Sequence, residues 1–186
     1  MAILSEKDLV LKARDNPEYF GELYENYFDR ILNYTFRRVG DFDLANDITS
    51  EVFLKAYTNI WRYKWKNIPF GAWLYRIATN EINQFFRKKS YKAETTDDLN
   101  ATHLLNKEKE RYDQEKNESE KQLDDRVDFK KVQEIIKVMP VKYQEVISLR
   151  YFEQKSLKEI CQILNKKEGT VKSLISRGLG KIRLAW

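Results

Sequence analysis

The feature that most restricts the fold is a stretch that cannot fold alone. From Thr95 to Asp125 the chain reads TTDDLNATHLLNKEKERYDQEKNESEKQLDD, dense in charge and poor in aromatic and β-branched side chains. Such a segment buries too little apolar surface to offset the entropy of ordering it. The core of this 186-residue chain therefore has to lie on either side of it. Charge follows the same division. Met1 to Lys89 carries 14 basic and 12 acidic residues, Ser90 to Asp125 carries 6 and 11, and Arg126 to Trp186 carries 14 and 6. The expected organisation is a first module at 1–89, an acidic linker at 90–125 and a strongly basic second module at 126–186. Glu, Lys, Gln and Leu favour transient helix within the linker.

Both flanking modules have helical periodicity. Asn16-Pro17 supplies an N-cap and a first-turn proline. Phe20, Leu23, Tyr24, Tyr27, Ile31 and Tyr34 then recur at three- and four-residue steps, and Gly40 ends the run. Leu44, Ile48, Val52, Ala56 and Ile60 repeat the pattern. After an aromatic, basic connection, Pro69 opens a third helix whose apolar stripe is Phe70, Trp73, Leu74, Ile77, Ala78, Ile82 and Phe85. Sustained two-residue alternation is absent, so the predicted class is all-α.

Composition narrows function by exclusion. One cysteine, Cys161, cannot form an intramolecular disulfide and fits a reducing compartment. The lone histidine, His103, lies in the linker, so the usual zinc ligand sets are not available and no metal or cofactor is expected. No Gly-rich phosphate loop or nucleophile motif stands out, and the chain is not expected to be an enzyme or to take a small-molecule substrate. The first residues, MAILSEKDLVLKARD, meet charge too early for a secretory signal, and no run has the ~18 apolar residues of a membrane span. The expectation is a soluble cytoplasmic protein. A net charge of +5 points weakly to a polyanionic partner.

The second module sharpens that pointer. In SLKEICQILNKKEGTVKSLISRGLGKI, Ser156 and Glu159 have capping-box spacing, and Ile160, Ile163 and Leu164 give the first helix a buried face. Asn165 sits where the chain must turn, and asparagine tolerates the left-handed conformation. A second helix from Glu168 turns Val171, Leu174, Ile175 and Leu179 inward. Its other face carries Thr170, Lys172, Ser173, Ser176, Arg177 and Lys181, with Lys167 just ahead of it. A helix-turn-helix inserts its second helix in the major groove, where arginine reads guanine and hydroxyls or lysine meet phosphates or bases. Periodicity alone equally allows a helical hairpin with a solvated basic face.

The wider pattern goes further. MPVKYQEVISLRYFEQKSLKEICQILNKKEGTVKSLISRGLGKIR resembles the fourth conserved region of bacterial RNA polymerase sigma factors. DLANDITSEVFLKAY and FGAWLYRIATNEINQFFRKK resemble the second region, and the two-region layout resembles the extracytoplasmic-function (ECF) group. The resemblance implies core RNA polymerase and promoter DNA as partners. It also implies that the second module reads the minus thirty-five element as duplex. The first module would recognise the opened minus ten strand, with Asn80 at a position that meets an extruded base. Asp43, Asp47, Ser50 and Glu51 would face the clamp coiled coil of the largest subunit, while the second module meets the flap region. Ser50 stands where the family usually has glutamine. Many members are restrained by an anti-sigma protein, which makes one a candidate partner here.

The residues of the first module fit that implication on their own chemistry. Arg76, Asn80, Asn83 and Arg87 share one helical face, and amide and guanidinium groups suit bases and phosphates. The preceding loop alternates Trp61, Tyr63 and Trp65 with Arg62, Lys64 and Lys66. Exposed rings among cations suit single strands, because bases stack on aromatics at ~1–3 kcal/mol each, while the same sequence equally allows Trp61 and Trp65 simply to seal the core. Asp43, Asp47 and Glu51 repel one another by roughly 0.2–0.5 kcal/mol per pair, an arrangement that suits a basic partner or is simply a solvated face. The linker would have to bridge elements on the order of 85 Å apart. As a flexible coil it averages about 33 Å, and roughly 120 Å when extended, so a scaffold should hold it out. Two rivals remain. A free-standing helix-turn-helix regulator would need no strand-opening loop, and a polymerase-docking adaptor would need no DNA-reading face.

Overall fold

The computed structural model describes residues 4–64, 68–95 and 131–186. Trp65, Lys66, His103 and the acidic linker expected between Ser90 and Asp125 lie outside the described residues, apart from the helical backbone up to Thr95. The described residues are helical with no strand among them. The order is α1 (Glu6–Lys12), α2 (Pro17–Val39), α3 (Phe42–Asn59), a 3-10 turn (Ile60–Arg62) and α4 (Phe70–Thr95). After the linker come α5 (131–138), α6 (Val141–Ile147), a π-helical segment (Ser148–Phe152), α7 (Leu157–Leu164) and α8 (Glu168–Ala185).

Helix ends follow local chemistry. Asn16 Oδ1 accepts the Glu18 N–H at 2.9 Å ahead of Pro17, and Asp41 caps α3 through the Leu44 N–H at 2.8 Å. Gly40 stops α2 at φ 78°, a left-handed geometry that glycine adopts without a Cβ penalty. The first core is the junction of α2, α3 and α4. Leu23, Ile31, Val52, Ala56, Phe70, Leu74, Ala78 and Ile82 are fully buried there. Gly71 lets α4 approach α2, since a Cβ at that position would meet the Tyr27 ring at 2.6 Å. The second core packs α8 across α6 and α7 through Val146, Ile147, Leu149, Ile160, Ile163 and Val171.

Three expectations about faces need correction. Leu179 is 39% exposed and Gly178 is buried in its place. A Cβ on Gly178 would lie 3.0 and 3.1 Å from the Ile147 side chain, so the glycine marks the close approach of α8 to α6. Trp73 is only partly buried at the rim of the core. Tyr24 remains 39% exposed because its ring lies over Phe28 and Phe53 on the outer side of α2 and α3.

The two modules also touch. α7 lies along α4, and the π-helical segment lies against α2. This contact brings the second module onto the face of α4 that carries Arg76 and Asn83.

Candidate nucleic-acid interface

The second module presents its candidate reading helix through a tight turn. The Ser156 Oγ accepts the Glu159 N–H at 3.2 Å, and Glu159 Oε2 takes the Ser156 N–H at 2.9 Å. Burial opposes ionisation of Glu159, but the Ser156 hydroxyl and backbone N–H outweigh it and hold the carboxyl below its ordinary range. Asn165 turns the chain in the left-handed region at φ 51°. Lys167 occupies the N-cap of α8 without a side-chain cap hydrogen bond. Lys166, in the turn, reaches back to Glu145 at 3.4 Å and so ties the turn to α6.

Beyond that turn, Lys167, Thr170, Lys172, Ser173, Ser176, Arg177 and Lys181 are all exposed. They line one side of α8 while Val171 and Gly178 face the core. Lys172 pairs with Glu168 at 2.6 Å, which raises the lysine's affinity for its proton and lowers that of the glutamate. The Lys181 ammonium lies 5.7 Å from the Tyr143 ring.

The first module arranges its candidates less uniformly. Trp61 is 63% exposed, pinned by its indole N–H to the Thr58 carbonyl at 3.0 Å and covered by the Arg62 guanidinium at 4.6 Å. Tyr63, expected among the exposed rings, is instead buried at 4%. It packs on Phe70 and Trp73 and donates its hydroxyl to the Ile68 carbonyl, so the loop is anchored by the ring that was expected to face solvent. Burial pushes the Tyr63 phenol well above its ordinary range. Arg62, Tyr63, Lys64, Trp73 and Arg76 line a hollow of about 260 Å³. A second, more open hollow lies between Asn80, Asn83, Gln84 and Arg87. Asn80 and Arg87 are exposed, whereas Arg76 and Asn83 are partly buried by the second module.

Asp43, Asp47, Ser50 and Glu51 are all exposed on α3. Lys55 softens the acidic stripe: it meets Glu51 at 3.2 Å and Glu81 of α4 at 2.6 Å. The bond to Glu81 is the main reason Lys55 holds its proton more tightly than an ordinary lysine. Leu54 and Tyr57, 55% and 42% exposed, add apolar surface to the same helix. Sequence reasoning missed these two residues and Lys55. An apolar side chain beside the acidic stripe and a Glu-to-Lys step of four were the available signals.

Comparison with known proteins decides the family. Residues 23–91 match Sigma-70 region 2, and residues 129–182 match Sigma-70, region 4. The ECF RNA polymerase sigma factor SigW of Bacillus subtilis is 32% identical over 98% of this chain and 97% of its own length. The chain belongs to the ECF group of RNA polymerase sigma factors. It is also 29% identical to BldN, the ECF sigma factor of Streptomyces coelicolor, over 92% of this chain, although the match spans only 62% of BldN. The fold is shared with CnrH, solved with the cytosolic domain of CnrY, at a TM-score of 0.67 and 19% identity over 96% of this chain and 95% of CnrH. It is shared too with RpoE of Bartonella quintana, solved with the anti-sigma factor NepR, at 0.69 and 17% over 89% of this chain and 95% of RpoE. Members of this sigma family bind core polymerase and promoter DNA and are not themselves catalysts. Among the described residues, no helix is long and apolar enough to cross a membrane.

Proposed function

We propose that this ECF sigma factor divides promoter reading between α8 and the α4 face, acting in the cytoplasm with core RNA polymerase. The observation that carries the reading is α8. Its seven basic and hydroxyl candidates are exposed together, beyond a turn fixed by a capping box and a left-handed asparagine. That geometry suits insertion in the major groove, with Arg177 able to donate bidentately to guanine and Thr170, Lys172, Ser173, Ser176 and Lys181 to bases or phosphates. Asn80, Asn83, Arg76 and Arg87 would hold the opened minus ten strand, and the exposed Trp61 would stack on a base. Tyr63 supports this site by positioning the loop. Asp43, Asp47, Ser50 and Glu51, with Leu54 and Tyr57, would dock on the polymerase clamp coiled coil, while the second module meets the flap.

The domains would meet at a linker from Ser90 to Asp125, entered through α4. Restraint by an anti-sigma protein fits the chain's likeness in fold to RpoE, which was solved with the anti-sigma factor NepR. Run-off transcription with purified core polymerase, on promoters from the source genome, tests the reading. Specific transcripts that require this protein and fall sharply in Asn80→Ala and Arg177→Ala are expected. Tight polymerase binding without initiation would overturn it in favour of an adaptor, and duplex binding without polymerase in favour of a free-standing regulator.

A further inference from the structure

Arg38, in the last turn of α2, is 1% exposed inside the first module. A buried cation is costly unless its donors are met, and here the acceptors are neutral oxygens. Nη1 donates to the Tyr34 hydroxyl at 3.1 Å, and Nη2 donates to Asn83 Oδ1 of α4 at 2.9 Å. Behind Arg38, the Tyr34 hydroxyl lies 2.8 Å from Thr79 Oγ1, which donates to the Tyr75 carbonyl at 2.7 Å. Tyr34 and Thr79 are both buried, so the guanidinium is seated in a closed network and not on a mobile surface arm.

A guanidinium carries donors only, so it sets the direction of every hydrogen bond that leaves it. On one side Tyr34 accepts from Arg38 and donates its own hydrogen to Thr79, whose hydroxyl is committed to the Tyr75 carbonyl. On the other side lies an amide that could turn either end toward a neighbour. Arg38 requires Oδ1 to face inward, which leaves Nδ2 as the outward group of Asn83. That group donates to Glu145 Oε2 at 3.3 Å across the junction of the two modules, so both neighbours fix the same orientation. Asn83 is half-buried and cannot turn over without setting its Nδ2 against the guanidinium. Asn80 is exposed, and its amide has no such fixing partner among the described residues.

We propose that Arg38 is a positioning residue for base selection: it holds the Asn83 amide donor-outward, so that one base of the opened strand is read as thymine or guanine. The inference rests on the reading of Asn83 as a minus ten residue. A free asparagine is ambivalent, because one end of its amide accepts and the other donates. With Oδ1 taken by Arg38, the outward Nδ2 suits the O4 of thymine or the O6 of guanine. It opposes the N4 amine of cytosine and the N6 amine of adenine, since two donors set face to face leave both without an acceptor. A buried residue that never touches DNA thereby sets which bases an exposed amide takes.

The test is run-off transcription by the full chain with core polymerase, on a promoter it activates, with each minus ten position set to all four bases in turn. At one position the wild type should favour thymine over cytosine, or guanine over adenine, by about fivefold or more, the effect of one donor left unsatisfied. Asn83→Ala should remove that preference. Asn83→Asp keeps an oxygen toward Arg38 and turns an acceptor outward, so it should invert the preference. Arg38→Met should flatten it at that position alone, and Arg38→Lys, still a donor only, should retain it. Circular dichroism and core binding check that each variant folds. If Arg38→Met does not fold, Asn83→Asp still discriminates, because a loss of structure cannot invert one preference and spare the others. A preference that persists in folded Arg38→Met, disappears in Arg38→Lys or stays uninverted in Asn83→Asp would overturn the proposal, with Asn83 still a minus ten residue. Specific transcripts whose base profile is the same in Asn83→Ala as in the wild type would instead overturn the promoter reading of Asn83, and the proposal with it.

Discussion

α8 and α4 carry similar chemistry in opposite circumstances. On α8, hydroxyls and cations stand exposed, tied locally by the surface pair of Lys172 with Glu168 and by Lys181 over the Tyr143 ring. On α4, Asn80 and Arg87 are open while Arg76 and Asn83 bond to the other module. Under the proposed division of promoter reading, the difference teaches that a rigid duplex and an opened strand ask for different handling. Duplex is always available, and a helix that reads it loses nothing by being permanently exposed. A strand site is useful only after melting, and a basic face left open until then would take up any single-stranded polyanion.

The comparison breaks most readily at its two arginines. Arg177→Ala should lower promoter-specific transcription about 10–100-fold, in line with losing one bidentate base contact of ~1–3 kcal/mol. Arg76→Ala should cost less, because that guanidinium is already engaged with the Gln162 carbonyl and is only partly available to a strand. A titration of core polymerase in the run-off assay reads the two side by side. If Arg76→Ala proved the more damaging, the contact with Gln162 would have no bearing on activity.

Close packing gives the next largest effect. Gly71→Ala drives a methyl into the Tyr27 ring, and the first module should lose about 1–3 kcal/mol in urea unfolding. Gly178→Ala meets Ile147 at a longer 3.0 Å and gains up to ~1 kcal/mol of helix propensity, so the second module should change less.

The modules should also part company in pH. Burial raises the phenols of Tyr27, Tyr34, Tyr63 and Tyr75, aided by the Glu6 carboxylate at Tyr27 and the Glu153 charge at Tyr75. A raised folded value contributes stability that is fully present below the unfolded value, near pH ~10, and is lost as pH rises beyond it. Glu159 has the opposite sign. Its lowered value contributes stability that is present above the unfolded value, near pH ~4.3, and is lost as pH falls through the folded one. Tyrosine absorbance and circular dichroism should therefore show the first module failing first in alkali, and Ser156→Ala should lower the second module's stability near neutral pH while flattening its further loss in acid. Lys55→Met should have the smallest effect, roughly 0.2–1 kcal/mol in thermal unfolding, since its pairs are solvent-screened.

Much of the architecture was legible because its signals are local. Asn16 before Pro17, the Ser156–Glu159 box and Asn165 each act within one turn of chain, and each does what its chemistry dictates. Periodicity also located the buried stripes of α2, α3 and α4. It could not say that Gly178 rather than Leu179 faces the core, because a glycine adds nothing to an apolar pattern. It could not assign Tyr63 inward, because a loop has no period. Nor could it find the junction. Arg76 meets Gln162 across 86 positions of sequence, and Arg37 meets Glu153 across 116, so no window holds either pair. A lone cation on a mixed face looks the same whether it awaits DNA or already holds a carboxylate.

The most direct test of the division of labour is a footprint of the polymerase complex on a promoter that this protein activates, read as upstream protection and permanganate reactivity of unpaired thymines. With the wild type, the minus thirty-five element should be protected and minus ten thymines reactive. Arg177→Ala should lose the upstream protection first, and Asn80→Ala should keep that protection while losing the reactive thymines. Reactive thymines undiminished in Asn80→Ala, or upstream protection undiminished in Arg177→Ala, would contradict the assignment of strand to α4 and duplex to α8.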